Sequence, residues 1–382
     1  MGERAIKKVA LLGYNEVQGT HFWNGVARVI YNQTQWLRSH GYEVIHYNFF
    51  SHEEYKNLYG FLEENGVDVA LWHMTTLKIK GRIQTPCPLV CLWHNDPSSH
   101  RDVAAFVEKY HLKPWQKKLL NNTVGNWMYV RLHNVLNNIA FTYVTACADR
   151  YVLLSEYFKP LFFPTKLFPK KVTAIPNSIS AEMVNSEIDL AAKEQVVLFM
   201  GRLDLGQKRI DLLLKIWEII EKKYFVSDWR LDICGGGPDE ETLKQMKEDL
   251  GLKQVCFRGH VNPEEYYKKA SIFCMTSAFE GFGLVVVEAA AYGCVPMAFE
   301  SYAAVKDLID DGENGRLIKA FDIEAYAEAL AELMMNGEER NRMALNAKTH
   351  SNLFSPDSVM AQWEQLFNEV LLEKRDNAKK RN

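Results

Sequence analysis

Ser277-Ala-Phe-Glu-Gly-Phe-Gly-Leu-Val-Val-Val-Glu-Ala-Ala-Ala-Tyr-Gly-Cys-Val-Pro296 is the stretch around which the chain is organised, with seven residues between Glu280 and Glu288. Ile272 to Thr276, just before it, reads as a short apolar strand. Gly281 and Gly283 mark a tight turn, and Leu284 to Tyr292 reads as a helix that Gly293 ends. The Val285-Val286-Val287 run argues for strand, whereas Ala289-Ala290-Ala291 and the closing glycine favour helix. In a strand-loop-helix unit, Gly283 lets a ligand approach the backbone, and the first-turn N–H groups with the helix dipole form an anion site. Glu280 precedes that helix and Glu288 lies just over one turn into it, so the two carboxylates reach different parts of one bound molecule. A phosphate-linked sugar fits this layout. An ordinary buried helix of an α/β sheet, with glycines for packing and Glu288 reaching to water, fits the short Gly-x-Gly pattern as well.

Three further segments lie in order around this stretch. Phe199-Met-Gly-Arg202-Leu-Asp is followed by Lys208, Cys234-Gly-Gly-Gly-Pro238 by Leu243, and Ile175-Pro176-Asn177 stands before both. The combination resembles the signature of family-4 retaining glycosyltransferases of GT-B fold, over nearly the full chain and most densely from about 171 to 350. The resemblance implies an α/β protein of two Rossmann-like domains facing each other across a cleft. It implies that Glu280 bonds sugar hydroxyls on the reacting face and Glu288 the ribose. Gly281, Phe282, Gly283 and Leu284 complete the donor loop. Arg202 and Lys208 carry the leaving diphosphate, a planar fork and a compact point charge respectively. With the helix start at Gly283 they can replace a metal ion, in keeping with a chain that has no Asp-x-Asp element. Without the surrounding match, both cations read as solvated surface residues. Where the family has Lys-Gly, this chain has Lys208-Arg209, which stiffens the loop or adds a charge.

The N-terminal part alternates strand and helix. Lys7 to Leu12 reads as the first strand and Trp23 to His40 as an amphipathic helix. Asn24-Gly25-Val-Ala-Arg28 resembles the family's glycine-rich loop with one glycine fewer, so Gly25 is a donor-binding candidate; an ordinary turn before a helix reads equally well. Pro88 to Leu92 forms a strand ending in Trp93-His94-Asn95-Asp96. The family carries a histidine at this strand end that contacts the transferred sugar, and the resemblance gives that role to His94, with Asp96 and His100 as neighbours.

At 382 residues the chain suits two domains. They are expected at 1–178 and 193–356, joined by a polar linker, with the last helix, 357–382, packing back on the first domain as in GT-B enzymes. An apolar share of 47% indicates a globular protein, and no apolar run approaches the length of a membrane span. The N-terminus runs straight into the first strand, which implies a cytoplasmic location. Seven cysteines in mostly apolar contexts suit reduced thiols, and Cys87-Pro-Leu-Val-Cys91 lacks a second pair at zinc spacing.

Charge is uneven: residues 1–180 carry 20 Lys+Arg against 13 Asp+Glu, a balance of +7, and the remainder carries −10. No nucleic-acid module is evident. An anionic membrane surface or a phosphorylated acceptor is the expected partner of the basic half. Pro114-Trp-Gln-Lys-Lys-Leu-Leu, with Trp115, Lys117 and Lys118, can lie on lipid or form a solvated helix face.

The expectation is therefore a retaining hexosyltransferase, peripheral on the inner face of a membrane. It takes a nucleotide sugar, UDP-linked, as co-substrate, uses no other cofactor and no metal, and acts on a glycan or lipid-linked acceptor in surface polysaccharide or glycolipid synthesis. A covalent carboxylate intermediate and same-face attack both give retention, so no nucleophile is assigned. A UDP-sugar epimerase, a sucrose- or starch-type synthase and a non-catalytic nucleotide-sugar-binding protein are the rival readings.

Overall fold

The structure, a computed structural model, describes residues 6–13, 25–48, 52–74, 83–97, 123–224 and 228–380. These fall into two compact units: unit 1 takes its described residues from the chain before Ile179 and from Pro356 onward, and unit 2 spans Ile179–Ser355.

Unit 1 holds a six-stranded sheet of β1 (Lys8–Leu12), β2 (Glu43–Tyr47), β3 (Val69–Met74), β4 (Leu89–Trp93), β5 (Arg150–Leu153) and β6 (Val172–Ala174), in the order β2-β1-β3-β4-β5-β6. Unit 2 holds β7 (Glu194–Met200), β8 (Arg230–Cys234), β9 (Val255–Gly259), β10 (Ala270–Met275), β11 (Val295–Glu300) and β12 (Arg316–Lys319), in the order β12-β11-β10-β7-β8-β9. Every pairing in both sheets is parallel. The composition explains this choice, because β3, β4 and β10 are buried at every position. Strands covered on both faces read as continuous apolar runs, and helices supply the cover. In unit 2 the helix Ile210–Ile219 buries Leu213, Leu214, Ile216 and Trp217, and the Tyr326 hydroxyl donates to the Met297 carbonyl at 2.8 Å. In unit 1, Phe141 meets Trp93 and Phe162 edge-on, both with centroids 5.0 Å apart.

The last helix, Pro356–Lys379, is part of unit 1. Trp36 Nε1 donates to Asp357 Oδ1 at 2.8 Å, Tyr42 to Glu364 at 2.6 Å, and Arg150 grips Glu373 through two N–H groups at 2.9 and 2.6 Å. The polar stretch after Ser178 is grouped with unit 2, where Ser180 caps the short helix Ala181–Val184.

Strand order dictates where each unit can bind. In unit 2 successive strands run outward from β7 on one side and from β10 on the other, so the order reverses between β7 and β10. In unit 1 the reversal lies between β1 and β3. At such a reversal the loops leaving the carboxyl ends of the two strands turn apart and open a crevice. The loops after β7 and β10 are described; those after β1 and β3, 14–24 and 75–82, lie outside the described residues.

All seven cysteines are free thiols, five of them buried, while Cys147 and Cys256 are half-buried. Burial pushes the Cys87 thiol up to about 11, which suits the packing role read from the sequence. No described helix is long and apolar enough to cross a membrane.

Candidate active site

The carboxyl end of β7 continues as Gly201-Arg-Leu-Asp-Leu-Gly-Gln-Lys-Arg209, and this loop is laced to its neighbours by backbone. Gly201 N–H donates to the Cys234 carbonyl and Leu203 N–H to Gly236, both at 3.0 Å. A Cβ at Gly235 would lie 1.9 Å from the Gly201 carbonyl oxygen, and one at Gly237 2.2 Å from that of Leu203. The Gly235-Gly-Gly237 run is thus required by the approach of two main chains. On the other side Ala278 N–H donates to the Gln207 carbonyl at 2.7 Å and Thr276 Oγ1 to that of Lys208 at 3.1 Å.

These bonds set Lys208 against Glu280. Lys208 Nζ lies 2.6 Å from Glu280 Oε1, with side-chain exposures of only 14% and 9%. Gln207 Nε2 donates to Glu280 Oε2 at 3.4 Å and to the Phe279 carbonyl at 3.3 Å. Arg202 stands apart from this pair: its side chain is 65% exposed and lies 3.4 Å from Asp204. Arg209 occupies the left-handed region at φ 49°, where a glycine would sit without strain. Its guanidinium bonds both oxygens of Asp211 at 3.0 and 3.1 Å and covers the Phe321 ring at 5.7 Å. The departure at this position therefore folds away from Lys208 onto its own partners.

The helix Leu284–Ala291 begins at Gly283, whose φ of 98° excludes other residues without strain. A Cβ there would also meet the Tyr302 hydroxyl at 2.7 Å. No side chain caps this helix and no acidic residue sits in its first turn, which leaves its positive end to a ligand. Phe282 turns its ring inward, 5.6 Å from Phe354, so only its backbone is on offer. Gly281 and Leu284 are half-buried. Glu288 is 2% exposed and accepts from the Tyr267 hydroxyl at 3.2 Å, so it does not reach to water. Burial, reinforced by Glu280, pushes the Tyr302 phenol well up. Under the far end of the helix the Lys193 ammonium donates to the carbonyls of Tyr267, Ala270 and Tyr292 at 2.8, 2.8 and 2.7 Å.

In unit 1, His94 follows β4 directly and its N–H donates to the Met74 carbonyl at 3.1 Å. Its Nε2 lies 2.9 Å from Nδ1 of His73, the penultimate residue of β3. Both rings are buried. Burial lowers His94 to about 3 and lowers His73 well below the ordinary range, with His94 and His46 adding to the latter. The pair is therefore neutral at physiological pH. Asp96 is buried nearby in sequence. Gly25 opens the helix Gly25–Ser39, and a Cβ there would meet nothing within 4 Å; the structure imposes no glycine at that position. Residues 19–24, His100 and 114–120 lie outside the described residues. Gln207, Tyr267 and His73 carried no motif in the sequence. No group of His, Cys, Asp and Glu side chains among the described residues could hold a metal ion.

Residues 184–350 match the family model for glycosyl transferases group 1. An uncharacterized glycosyltransferase of Haemophilus influenzae is 33% identical over 223 residues, 58% of this chain and 61% of that one. A Campylobacter jejuni enzyme named as an α-1,4-N-acetyl-D-galactosaminyltransferase acting on an undecaprenol-diphosphate glycan is 32% identical over 180 residues, 47% of this chain and 49% of its own. This chain thus spans about half to three-fifths of the length of those two relatives. Among solved structures, a lipopolysaccharide outer core galactosyltransferase superposes with a TM-score of 0.65 at 17% identity, covering 96% of this chain and 99% of the other. Anabaena HepE in complex with UDP gives 0.68 at 16% identity, covering 95% and 100%. The two parallel six-stranded units have the GT-B fold, and residues 184–350, less than half of the chain, are similar to the glycosyl transferases of group 1.

Proposed function

We propose that this chain is a retaining glycosyltransferase that moves a hexose from a nucleotide sugar, UDP-linked, to a hydroxyl of a glycan or lipid-linked acceptor. The observation that carries the reading is the Lys208–Glu280 pair, held between the carboxyl ends of β7 and β10 beside the uncapped helix that Gly283 opens. Sugar transfer breaks the bond from the anomeric carbon to the diphosphate and builds negative charge on the departing oxygens, and stabilising that charge is the largest catalytic task. One proton of the Lys208 ammonium points to Glu280, which leaves two for phosphate oxygens. The exposed Arg202 fork and the helix N-terminus add further donors. Glu280, oriented by Lys208 and Gln207, accepts from sugar hydroxyls. In the same-face route the acceptor oxygen bonds the anomeric carbon as the phosphate leaves, and its proton passes to the departing phosphate oxygen. In this reading the two cations and the helix end supply the charge, with no metal ion.

The names of the relatives support the acceptor class, and UDP in the HepE structure supports the base. We further propose that unit 1 rests on an anionic membrane on the cytoplasmic side. The helix Thr123–Cys147 exposes Met128, Leu132, Leu136 and Ile139 at helical spacing. The adjoining turn adds Leu167 and the exposed Lys166 and Lys170.

The test is thermal-shift and calorimetric titration of the full chain with UDP-, GDP- and ADP-sugars, followed by product analysis. A ligand that binds only the folded state raises its stability. A UDP-sugar that stabilises the protein, with slow release of UDP, is the expected result. Release of an altered sugar without acceptor would make the chain an epimerase, and no binding by any of the sugars would overturn the reading.

A further inference from the structure

β3 and β4 pair in parallel with His73 opposite Leu92 and Met74 opposite Trp93, so His94 lies one step past the register, at the carboxyl end of the sheet. The two imidazoles are nearly parallel, 12° apart, with centroids separated by 5.2 Å. That separation, with 2.9 Å between Nδ1 of His73 and Nε2 of His94, is that of rings joined edge to edge by one hydrogen bond.

A neutral imidazole carries one N–H and one lone pair. The bond between the rings uses one of each, so the two outer nitrogens, His73 Nε2 and His94 Nδ1, are always in opposite states. When one is an N–H donor the other is a bare acceptor. Both outer nitrogens are buried and have no partner among the described residues. A buried polar atom left open in this way calls for an occupant, and its place at a strand's carboxyl end is where α/β sheets take ligands.

We propose that His73 is a positioning residue for His94: it fixes the tautomer and ring orientation of His94, leaving His94 Nδ1 as the nitrogen that meets a sugar hydroxyl. The identity of the ligand rests on the glycosyltransferase reading, whereas the coupling of the two rings does not. Neither nitrogen of His94 can rotate to a new partner without breaking the bond to His73. The sugar is thus met by a nitrogen whose state is tied to that of His73.

The experiment compares His73→Asn, whose amide can replace Nδ1, with His73→Gln, whose amide falls at the Nε2 position, and His73→Phe, which removes both. The ring ¹⁵N shifts of His94 are read in the ligand-free full chain, and kcat and KM with a donor sugar are read separately. Parent and Asn variant should show His94 in one tautomer, and Gln and Phe a mixed or reversed pattern. Turnover should fall at least about tenfold in Gln and Phe with little change in KM, as for other partners that orient a functional histidine. A parent spectrum with mixed tautomers, or a His94 pattern that is the same in all the variants, would overturn the proposal. So would equal loss of turnover in Asn and Gln at equal thermal stability, and this pair keeps the test decisive if the Phe variant does not fold. Absence of any sugar turnover in the parent would sink the glycosyltransferase reading while leaving the ¹⁵N comparison intact.

Discussion

The two units have the same architecture, a parallel six-stranded sheet whose order reverses at one point, and they place opposite chemistry at its carboxyl end. In unit 2 the end of β10 carries Glu280 against Lys208, an ion pair with little exposure. In unit 1 the ends of β3 and β4 carry His73 and His94, which burial keeps uncharged. A diphosphate has to be met by fixed charge in a place where water cannot screen it. A hydroxyl needs only an oriented donor or acceptor, and a neutral imidazole supplies either one. The fold thus sets where ligands go, and the loop residues set what kind of ligand is held.

The contrast can be broken most sharply at Glu280. Glu280→Gln removes the carboxylate but not the shape, and turnover should fall about 10²–10³-fold, the usual effect of deleting one oriented polar group at a reacting centre, with donor affinity changed much less. Intact turnover would place the reaction elsewhere. Next in size is the pH response of unit 1. The folded-state values of both histidines lie below 6.5, so between 6.5 and about 3, where His94 titrates, the unfolded chain binds more protons and stability falls as pH drops. Each buried histidine adds a slope of up to about 1.4 kcal/mol per pH unit there. Chemical denaturation at pH 7 and pH 5 should show a shallower loss in His73→Asn than in the parent; an equal loss in both would mean that His73 is not held neutral. The smallest effect is expected on the outer face of unit 1. Leu132→Ser with Ile139→Ser should weaken co-sedimentation with anionic vesicles several-fold, at about 25 cal/mol for each Å² of apolar surface withdrawn. Unchanged sedimentation would separate that face from lipid.

Much of this arrangement could be read from the chain alone, for a physical reason. Buried parallel strands must be apolar on both faces, and the helix after β10 opens from a left-handed turn that glycine takes without strain. Segments such as Ala270–Met275 and Gly281-Phe-Gly283 therefore declare themselves locally. What stayed hidden depends on partners distant in sequence. Gln207 reaches Glu280 across 73 positions, and His73, inside an all-buried apolar strand, looks like any core residue until folding brings His94 beside it. The burial of Glu288 could not be read locally, because its Tyr267 partner lies 21 residues away on another helix. Arg209 shows the reverse case. Its type argued for an extra charge near Lys208, while Asp211 and Phe321 absorb that charge locally.

Lys193 has a further use. With its three N–H groups held by the carbonyls of Tyr267, Ala270 and Tyr292, its nitrogen is shielded from an acylating reagent until those bonds open. Exposed amines such as Lys166 react without any opening of the chain. The ratio of the two labelling rates is thus an intrinsic clock for local opening at the amino end of β10, and a ligand that clamps the neighbouring helix should slow that clock without touching the lysine itself.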